Sequence, residues 1–378
     1  MLNTEEIKYA YSDVSIVPAP LSYIDTRSKC TTKDENGYLP LFAAPMNTVV
    51  STANFHKFEE CGIHAVLPRT EPIEERINKS VAGFWAAYSL DEFNWAFDKD
   101  NLLEGTAGKT IKALIDVANG HMHSLYKAVR AVKQRYGNDI EIMIGNIANP
   151  ETITYAAMAG ADYVRCGIGA GMGCITASNS SVHFAMASLI NETKKIISEK
   201  ESEWTQMGLK SPKIVADGGI RNYSDAIKAL ALGADYVMIG SVFAQAIESS
   251  AEKQFILPSS GAIYDVKIED FETLKLNDDG KTWDACYRGS HFDVEIYAKF
   301  YGMASKEAQK VMYGKKRRTA EGIRKTLPVL YNLKQWTENF DDYLKTAMSY
   351  TNCENLEEFK NDTTLVVMSQ NASCAFNK

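Results

Sequence analysis

Short apolar runs recur between residues 39 and 240, and polar stretches with helix-forming composition separate them. Most of the runs are continuously apolar, which is typical of parallel strands that are buried on both faces. We therefore predict eight strands, at 39–46, 63–69, 81–88, 111–117, 141–147, 162–168, 213–219 and 235–240. The third is ambiguous, because the segment 84–87 (Phe-Trp-Ala-Ala) also suits a helix.

Two copies of one helix-to-strand junction support a repeated architecture. The pentapeptide Gly-Ala-Asp-Tyr-Val occurs at 160–164 and at 233–237, and each copy places a helix-ending glycine directly before a strand. One helix is predicted from Asn149-Pro-Glu-Thr152 to Gly160, and another from Asn222 to about Gly233. Repeated units of this kind predict an α/β fold, a (β/α)8 TIM barrel. A doubly wound open sheet is the alternative that the pattern leaves open.

Two segments interrupt the alternation of strands and helices. The glycine-rich segment 167–182 is too long for an ordinary loop, and the polar segment 251–330 includes a hairpin-like turn at Leu276-Asn-Asp-Asp-Gly280. Barrels of this class carry active-site loops and lids at the carboxyl ends of their strands. We expect a catalytic loop at 167–182, an insertion and flap at 251–330, and a single catalytic domain over 1–378 without a paired regulatory module.

Composition narrows the classes of partner and the compartment. The chain has 378 residues, a formal net charge of −7 and a pI near 5.5, which argue against non-specific binding to nucleic acid or an anionic membrane. Neither a signal peptide nor an apolar run of about 18 residues is evident. The seven cysteines are scattered and odd in number, so we expect free thiols and a cytoplasmic location.

The most specific chemical signal is the loop that reads Gly-Ile-Gly-Ala-Gly-Met-Gly-Cys-Ile-Thr over 167–176. Alternating glycines let the backbone approach a ligand closely. Cys174 at the end of this loop is a candidate nucleophile, and Thr176 can pass a proton. The alternative is a buried structural cysteine, which is our interpretation of Cys166 inside the sixth strand.

A second signal follows the last two predicted strands. Asp217-Gly218-Gly219 ends the seventh strand, and Gly240-Ser241 ends the eighth. The loops at these two positions commonly hold a phosphate through backbone N–H groups. Two tight turns that bind nothing are the alternative.

Taken in order, these features resemble the family of IMP dehydrogenases and GMP reductases. The matching segments are Asp13-Val14, Ala44-Pro-Met-Asn-Thr-Val49, Asp116-Val-Ala-Asn-Gly120, Gly145-Asn146, the cysteine loop, Asp217-Gly-Gly219, Val237-Met-Ile-Gly240, Phe300-Tyr-Gly-Met-Ala-Ser305 and Arg318-Thr-Ala-Glu-Gly322. Within the family, the Phe-Tyr-Gly-Met-x-Ser pattern is similar to the substrate loop of the reductases. Glu321 also resembles the reductases, because dehydrogenases carry glutamine at this position.

The resemblance implies NADPH-dependent reductive deamination of GMP to IMP and ammonia through a thioimidate on Cys174. Thr176 and Glu321 would form the proton relay, and the carboxylate also suits the N–H groups of guanine. By itself, Glu321 is also compatible with a solvated glutamate beside basic residues. Two other functions stay open: an IMP dehydrogenase that oxidises IMP to XMP with NAD, and a diverged nucleotide-binding protein without activity.

The resemblance also implies site residues. Those expected at the substrate are Met46, Asn47, Asp217, Gly218, Gly219, Gly240, Ser241, Gly302, Met303, Ala304, Arg318 and Gly322. Those expected at the dinucleotide are Arg27, Ser28, Arg69, Asp116, Val117, Ala118, Ile168, Gly169 and Ser349. Potassium would bind the carbonyls of Gly169, Gly171 and Cys174. Family members are usually homotetramers, and the stretch 346–349 would reach a neighbouring subunit.

Several positions depart from the family pattern. Gly173 replaces a serine that helps to hold phosphate, Asn47 replaces an aspartate near the ribose, and Ser241 replaces a glycine. Ala177 stands in place of an arginine beside the cation site, and 178–183 also differs. Because the changes surround phosphate and ribose rather than Cys174, we hypothesise that the substrate has shifted, to a deoxy or base-modified purine nucleotide.

Overall fold

A closed barrel of eight parallel strands forms the centre of the molecule. The computed structural model of the chain describes residues 7–98, 106, 108–264, 267–314, 319 and 322–376. After a short strand β1 (Val14–Ile16), the barrel strands are β2 (Leu41–Ala43), β3 (His64–Leu67), β4 (Trp85–Tyr88), β5 (Ile111–Asp116), β6 (Ile140–Ile147), β7 (Tyr163–Cys166), β8 (Lys213–Asp217) and β9 (Tyr236–Ile239). Pairing of Leu41 with Val237 closes the ring. The TIM-barrel prediction is confirmed, and the open sheet is wrong.

Helices alternate with these strands and continue beyond them. They are α1 (Phe55–Glu60), α2 (Ile73–Val81), α3 (Leu90–Phe97), α4 (His123–Tyr136), α5 (Thr152–Ala159), α6 (Thr176–Ser180), α7 (Met186–Gln206), α8 (Tyr223–Ala231), α9 (Ser241–Ala244), α10 (Lys306–Tyr313), α11 (Leu333–Tyr350), α12 (Leu356–Asp362) and α13 (Gln370–Phe376). Short 3₁₀ turns lie at Tyr11–Asp13, Arg27–Lys29, Gly137–Asp139 and Ile268–Asp270. Within the described ranges, no helix combines the length and the apolar character that crossing a bilayer would require.

The repeated pentapeptide forms the same joint twice. Gly160 and Gly233 both adopt positive φ, of 85° and 106°, a region that glycine enters without steric cost. In each copy the aspartate anchors its strand to the preceding one: the Asp162 carboxylate accepts from the N–H of Ile142 and the Asp235 carboxylate from that of Ile214, both at 2.7 Å. The repeat therefore encodes a hydrogen-bonded entry into β7 and into β9.

Aromatic side chains fill the barrel interior. Phe42, Trp85 and Tyr163 pack edge to face, with ring centroids 5.0–5.7 Å apart for the two pairs that include Trp85. Val66, Leu114, Met143, Val215 and Met238 complete this inner cluster. Such a packed interior leaves the carboxyl ends of the strands, with their loops, as the place for a ligand.

The segment 251–330 forms a second, antiparallel sheet, which the polar composition did not reveal. Its strands are β10 (Lys253–Ile256), β11 (Ile263–Tyr264), β12 (Thr273–Leu276), β13 (Thr282–Tyr287), β14 (Ser290–Tyr301) and β15 (Arg324–Pro328), in the order β11-β10-β14-β13-β12 with β15 beside β14. The predicted turn at 276–280 joins β12 to β13 and is confirmed. Strand β16 (Leu365–Val367) pairs with β1.

The long strand β14 connects this sheet to the barrel mouth. Val294 and Ile296 face the sheet's own apolar core, and Phe300, further along the same face, packs into the core of the barrel. Tyr301 pairs with Arg324 of β15, so the segment between these two strands is held at both ends. The sheet therefore sets where residues 302–304 stand over the barrel.

Candidate active site

A cavity opens at the carboxyl ends of the barrel strands, between the glycine-rich loop and the end of β14. Among its lining residues are seventeen of the predicted site residues: Met46, Asp116, Ala118, Ile168, Gly169, Gly171, Cys174, Thr176, Asp217, Gly218, Gly219, Gly240, Ser241, Gly302, Met303, Ala304 and Gly322. These positions come from distant parts of the sequence, and barrel closure brings them together. This end of the barrel is where (β/α)8 enzymes carry their active sites.

The thiol of Cys174 is partly exposed in this cavity. It is free and lies 3.3 Å from the hydroxyl oxygen of Thr176, the first residue of α6. A tight turn holds it, because the Cys174 N–H donates to the Gly171 carbonyl at 3.0 Å. Cys166 differs: it is fully buried in β7, and burial raises the pKa of its thiol to about 12. The geometry suits a nucleophile at Cys174 and a structural role for Cys166.

Backbone contacts join the cysteine loop to Gly322 and Ile323, which follow Glu321 in the chain. The N–H of Ile323 donates to the Gly173 carbonyl at 3.0 Å, and Cys174 forms an antiparallel bridge with Gly322. A Cβ atom at Gly173 would lie 3.0 Å from the Gly302 nitrogen and 3.1 Å from a ring carbon of Phe300. Close packing against β14 thus explains why glycine replaces the family's serine at this position.

Two predicted residues, Glu321 and Arg318, lie outside the described residues. Their roles in the relay and at the substrate stay predictions. Gly322, which follows Glu321 in the chain, is the residue bridged to Cys174.

A charged network that the motifs did not reveal lies beneath the cavity. Arg165 of β7 pairs with Asp116 at 2.7 Å and with Asp217 at 2.8 Å. Asn146 donates to the same Asp217 oxygen at 2.7 Å and to the Gly167 carbonyl at 2.7 Å. One signal pointed to it: an arginine within the apolar run Tyr-Val-Arg-Cys must find a buried partner.

The glycines at the predicted phosphate cradle pack against the cysteine loop. Gly218 and Gly219 have φ values of 107° and 77°, and the Gly219 N–H donates to the Ala170 carbonyl at 3.0 Å. That donor is engaged, whereas the neighbouring Gly240-Ser241 turn stands at the start of α9, and phosphate binding at either turn stays a prediction. A Cβ atom at Gly240 would lie 3.0 Å from the Met46 sulfur, so the backbone here is closely approached.

Two predicted residues adjoin the cavity without lining it. Asn47 donates from its amide to the Tyr301 hydroxyl at 2.9 Å, and Arg69 donates to the Asp116 carbonyl at 3.3 Å. Val117, next to Asp116, is also not among the lining residues.

Three predicted dinucleotide residues lie elsewhere on this chain. Arg27 pairs with Asp342 of α11 at 3.0 Å, and Ser28 belongs to the same short 3₁₀ turn. The Ser349 carbonyl, at the end of α11, accepts from the Ser22 hydroxyl at 2.7 Å. Arg27, Ser28 and Ser349 are therefore not part of this chain's own cavity, and their contribution to a neighbouring copy stays a prediction.

The potassium site finds limited support in the loop geometry. One of the three expected ligands, the Gly171 carbonyl, already accepts the Cys174 N–H. Ala177, in place of the family's arginine, packs so closely that a Cβ atom at Gly169 would lie 2.6 Å from its methyl group.

Comparison with known proteins shows which family the chain resembles. A model described as the IMP dehydrogenase / GMP reductase domain matches residues 106–264. A GMP reductase of Lysinibacillus sphaericus is 29% identical over 302 residues (76% of this chain, 86% of the relative), and one of Streptococcus suis is 26% identical over 371 residues (95% of each). An inosine-5′-monophosphate dehydrogenase of Chlorobaculum parvum is 30% identical over 267 residues (71% of this chain, 46% of the relative).

The fold and these matches define a class of (β/α)8-barrel oxidoreductases. Within it, the chain is similar to the IMP dehydrogenase / GMP reductase family, as the motifs predicted.

Proposed function

We propose that this protein reductively deaminates a guanine nucleotide, GMP or a deoxy or base-modified relative, with NADPH as reductant. The observation that carries the proposal is the Cys174 thiol, 3.3 Å from the Thr176 hydroxyl, in a cavity that the Asp116 and Asp217 carboxylates share. The two relatives named GMP reductases align with at least 86% of their length, whereas the dehydrogenase aligns with 46% of its own.

Cys174 performs the covalent step. Its thiolate attacks C2 of guanine, the C2–N bond breaks, and the amine leaves as ammonia after protonation, so that a thioimidate joins the purine to the protein. NADPH, when bound beside the purine, would supply the hydride that C2 accepts. Cleavage of the C–S bond then returns the thiolate and releases the hypoxanthine nucleotide, and the whole reaction consumes one proton, the one that the departing ammonia carries away.

Proton delivery is the task of the relay beside the thiol. The Thr176 hydroxyl stands within hydrogen-bond reach of the sulfur, so it can pass a proton towards the departing amine. Glu321 would supply that proton and accept the N–H groups of guanine. We assign it this role from the resemblance and from the bridge between Gly322 and Cys174.

Two carboxylates orient the ligands. Asp217 is tied through one oxygen to Arg165 and Asn146, which leaves the other for ribose hydroxyls of the nucleotide. Asp116 lies on the same wall with Ala118 and Ile168 and fits the nicotinamide half of the dinucleotide. An aspartate carboxylate accepts hydrogen bonds from sugar hydroxyls or a carboxamide.

The test is to incubate purified protein with GMP, dGMP and IMP, each with NADPH, NADH and NAD, and to identify products by mass spectrometry. We expect NADPH oxidation matched by equal ammonia and a hypoxanthine nucleotide. Cys174→Ala should reduce turnover at least about 10³-fold. Cys374→Ala, at an exposed thiol on α13, is the matched control and should behave as wild type.

Each alternative predicts a different result. Turnover of IMP with NAD alone would establish the dehydrogenase direction. Full activity in Cys174→Ala would eliminate covalent catalysis. A clear preference for GMP over dGMP would refute the hypothesis of a shifted substrate.

A further inference from the structure

One buried arginine connects the side of the cavity that carries Asp217 with the side that carries Asp116. Arg165 is 8% exposed at its side chain and lies at the carboxyl end of β7. Its Nη1 contacts the Asp116 Oδ1 atom at 2.7 Å, while Nη2 and Nε contact the Asp217 Oδ2 atom at 2.8 and 3.1 Å. From β7, the guanidinium therefore contacts the end of the adjacent strand β8 on one side. On the other side it reaches past β6 to the end of β5.

The Arg165 guanidinium stays protonated despite its burial. Burial by itself would lower the pKa of the guanidinium, but the ion pairs with Asp217 and Asp116 outweigh burial and raise that pKa. Arginine also presents its donors in a rigid planar fork, so it can bind two acceptors at once in a defined geometry.

In each carboxylate, one of the two oxygens receives no hydrogen bond from the described residues. The Asp217 Oδ2 atom receives three hydrogen bonds, two from Arg165 and one from Asn146 at 2.7 Å. Among the described residues, none donates to the Asp217 Oδ1 atom or to the Asp116 Oδ2 atom. Both aspartates line the cavity, so each offers one free acceptor to a ligand.

We propose that Arg165 is a positioning residue for both ligands, which sets Asp217 for the nucleotide ribose and Asp116 for the dinucleotide through one shared cation. This inference rests on the proposed function, because that function places the two ligands side by side. Without the guanidinium, the two carboxylates would lose their common partner, and their mutual repulsion would move them away from the positions that suit the two ligands.

The surrounding ionisable groups do not replace this cation. Burial raises the pKa of Tyr11 well above its usual value and that of Cys166 to about 12, so neither is charged near neutral pH. Arg69 donates to the backbone carbonyl of Asp116 and not to its carboxylate, and its Nε atom lies 3.7 Å from Glu92.

The experiment compares Arg165→Gln and Arg165→Lys with wild type in steady-state kinetics. Arg165→Gln should raise KM at least about 10-fold for both the guanine nucleotide and NADPH, with a smaller change in kcat. Arg165→Lys keeps the charge but not the fork, so it should retain the fold and raise both KM values by about 3-fold or more.

Arg76→Gln is the matched control. Arg76 is a second buried arginine (2% exposed), which pairs with Glu92 at 2.8 Å and donates to the Ala87 carbonyl, and it does not line the cavity. Its loss should lower stability while both KM values stay as in wild type.

Two outcomes would overturn the inference. If wild type turns over the nucleotide but the Arg165 variants change the KM of one ligand only, or of neither, Arg165 does not serve both halves and the proposed function still stands. If wild type neither binds nor converts any purine nucleotide, the proposed function fails and this inference fails with it.

Discussion

Lys253 offers a quantitative test of how the inserted sheet is anchored. It begins β10, and its ammonium donates to the carbonyl and, at 2.8 Å, to the hydroxyl of Ser249. Burial lowers the pKa of this lysine from 10.5 to about 7, although Glu248 nearby partly opposes the effect. Between pH 7 and about 10 the side chain is mostly charged in the unfolded chain but mostly neutral in the folded one, so losing its proton costs folding free energy that depends on pH.

The difference in the pKa of Lys253 between the folded and unfolded chain determines how its contribution to stability changes with pH. Above about pH 10.5 the lysine is neutral in both states, and the cost is absent. As pH falls to 7 the unfolded chain binds a proton that the folded chain does not, so the cost grows and is complete below the folded pKa. A pKa lowered from 10.5 to about 7 corresponds to roughly 5 kcal/mol, and because the side chain is only half-buried we expect about half of that.

Lys253→Met removes this cost together with the two hydrogen bonds, which contribute roughly 1 kcal/mol each. We therefore expect the variant to be more stable than wild type by about 0.5 kcal/mol at pH 7, and less stable by about 1–2 kcal/mol near pH 10. Urea denaturation followed by tryptophan fluorescence at several pH values measures the difference. Lys275→Met, at an exposed position of β12, is the control and should change little at any pH. A Lys253→Met difference that does not vary with pH would refute the reasoning.

Two further predictions concern the loop and the repeated joint. Gly173→Ser restores the family residue but places a Cβ atom 3.0 Å from the Gly302 nitrogen, so we expect about 1–3 kcal/mol of destabilisation and a higher nucleotide KM; a KM at or below that of wild type would contradict the packing argument. Asp162→Asn and Asp235→Asn each weaken a 2.7 Å bond to a backbone N–H at an equivalent joint, so each should cost about 1–2 kcal/mol in urea denaturation, and a cost confined to one copy would show that the joints are not equivalent.

The eight barrel strands could be predicted because most of each strand is buried on both faces and apolar. Their ends could not: the predicted segment 81–88 begins at the last residue of α2, and β4 itself begins only at Trp85. Apolar runs extend into the adjoining helices, so periodicity alone does not mark the boundary. The inserted sheet was missed, because its strands are short or solvated on one face and their alternation is weak.

The sequence by itself determined the barrel, its repeated joints and the identity of the reactive loop, since burial pattern, cap glycines and the cysteine motif are local properties. Only the tertiary structure decided which residues share the cavity. Arg165, Asp116 and Asp217 lie on three different strands and about fifty residues apart, and their ion pairs exist because closure of the barrel sets β5, β7 and β8 around one mouth. It also separated Arg27 and Ser349 from that mouth, because contacts with α11 and the amino-terminal segment hold them on another face.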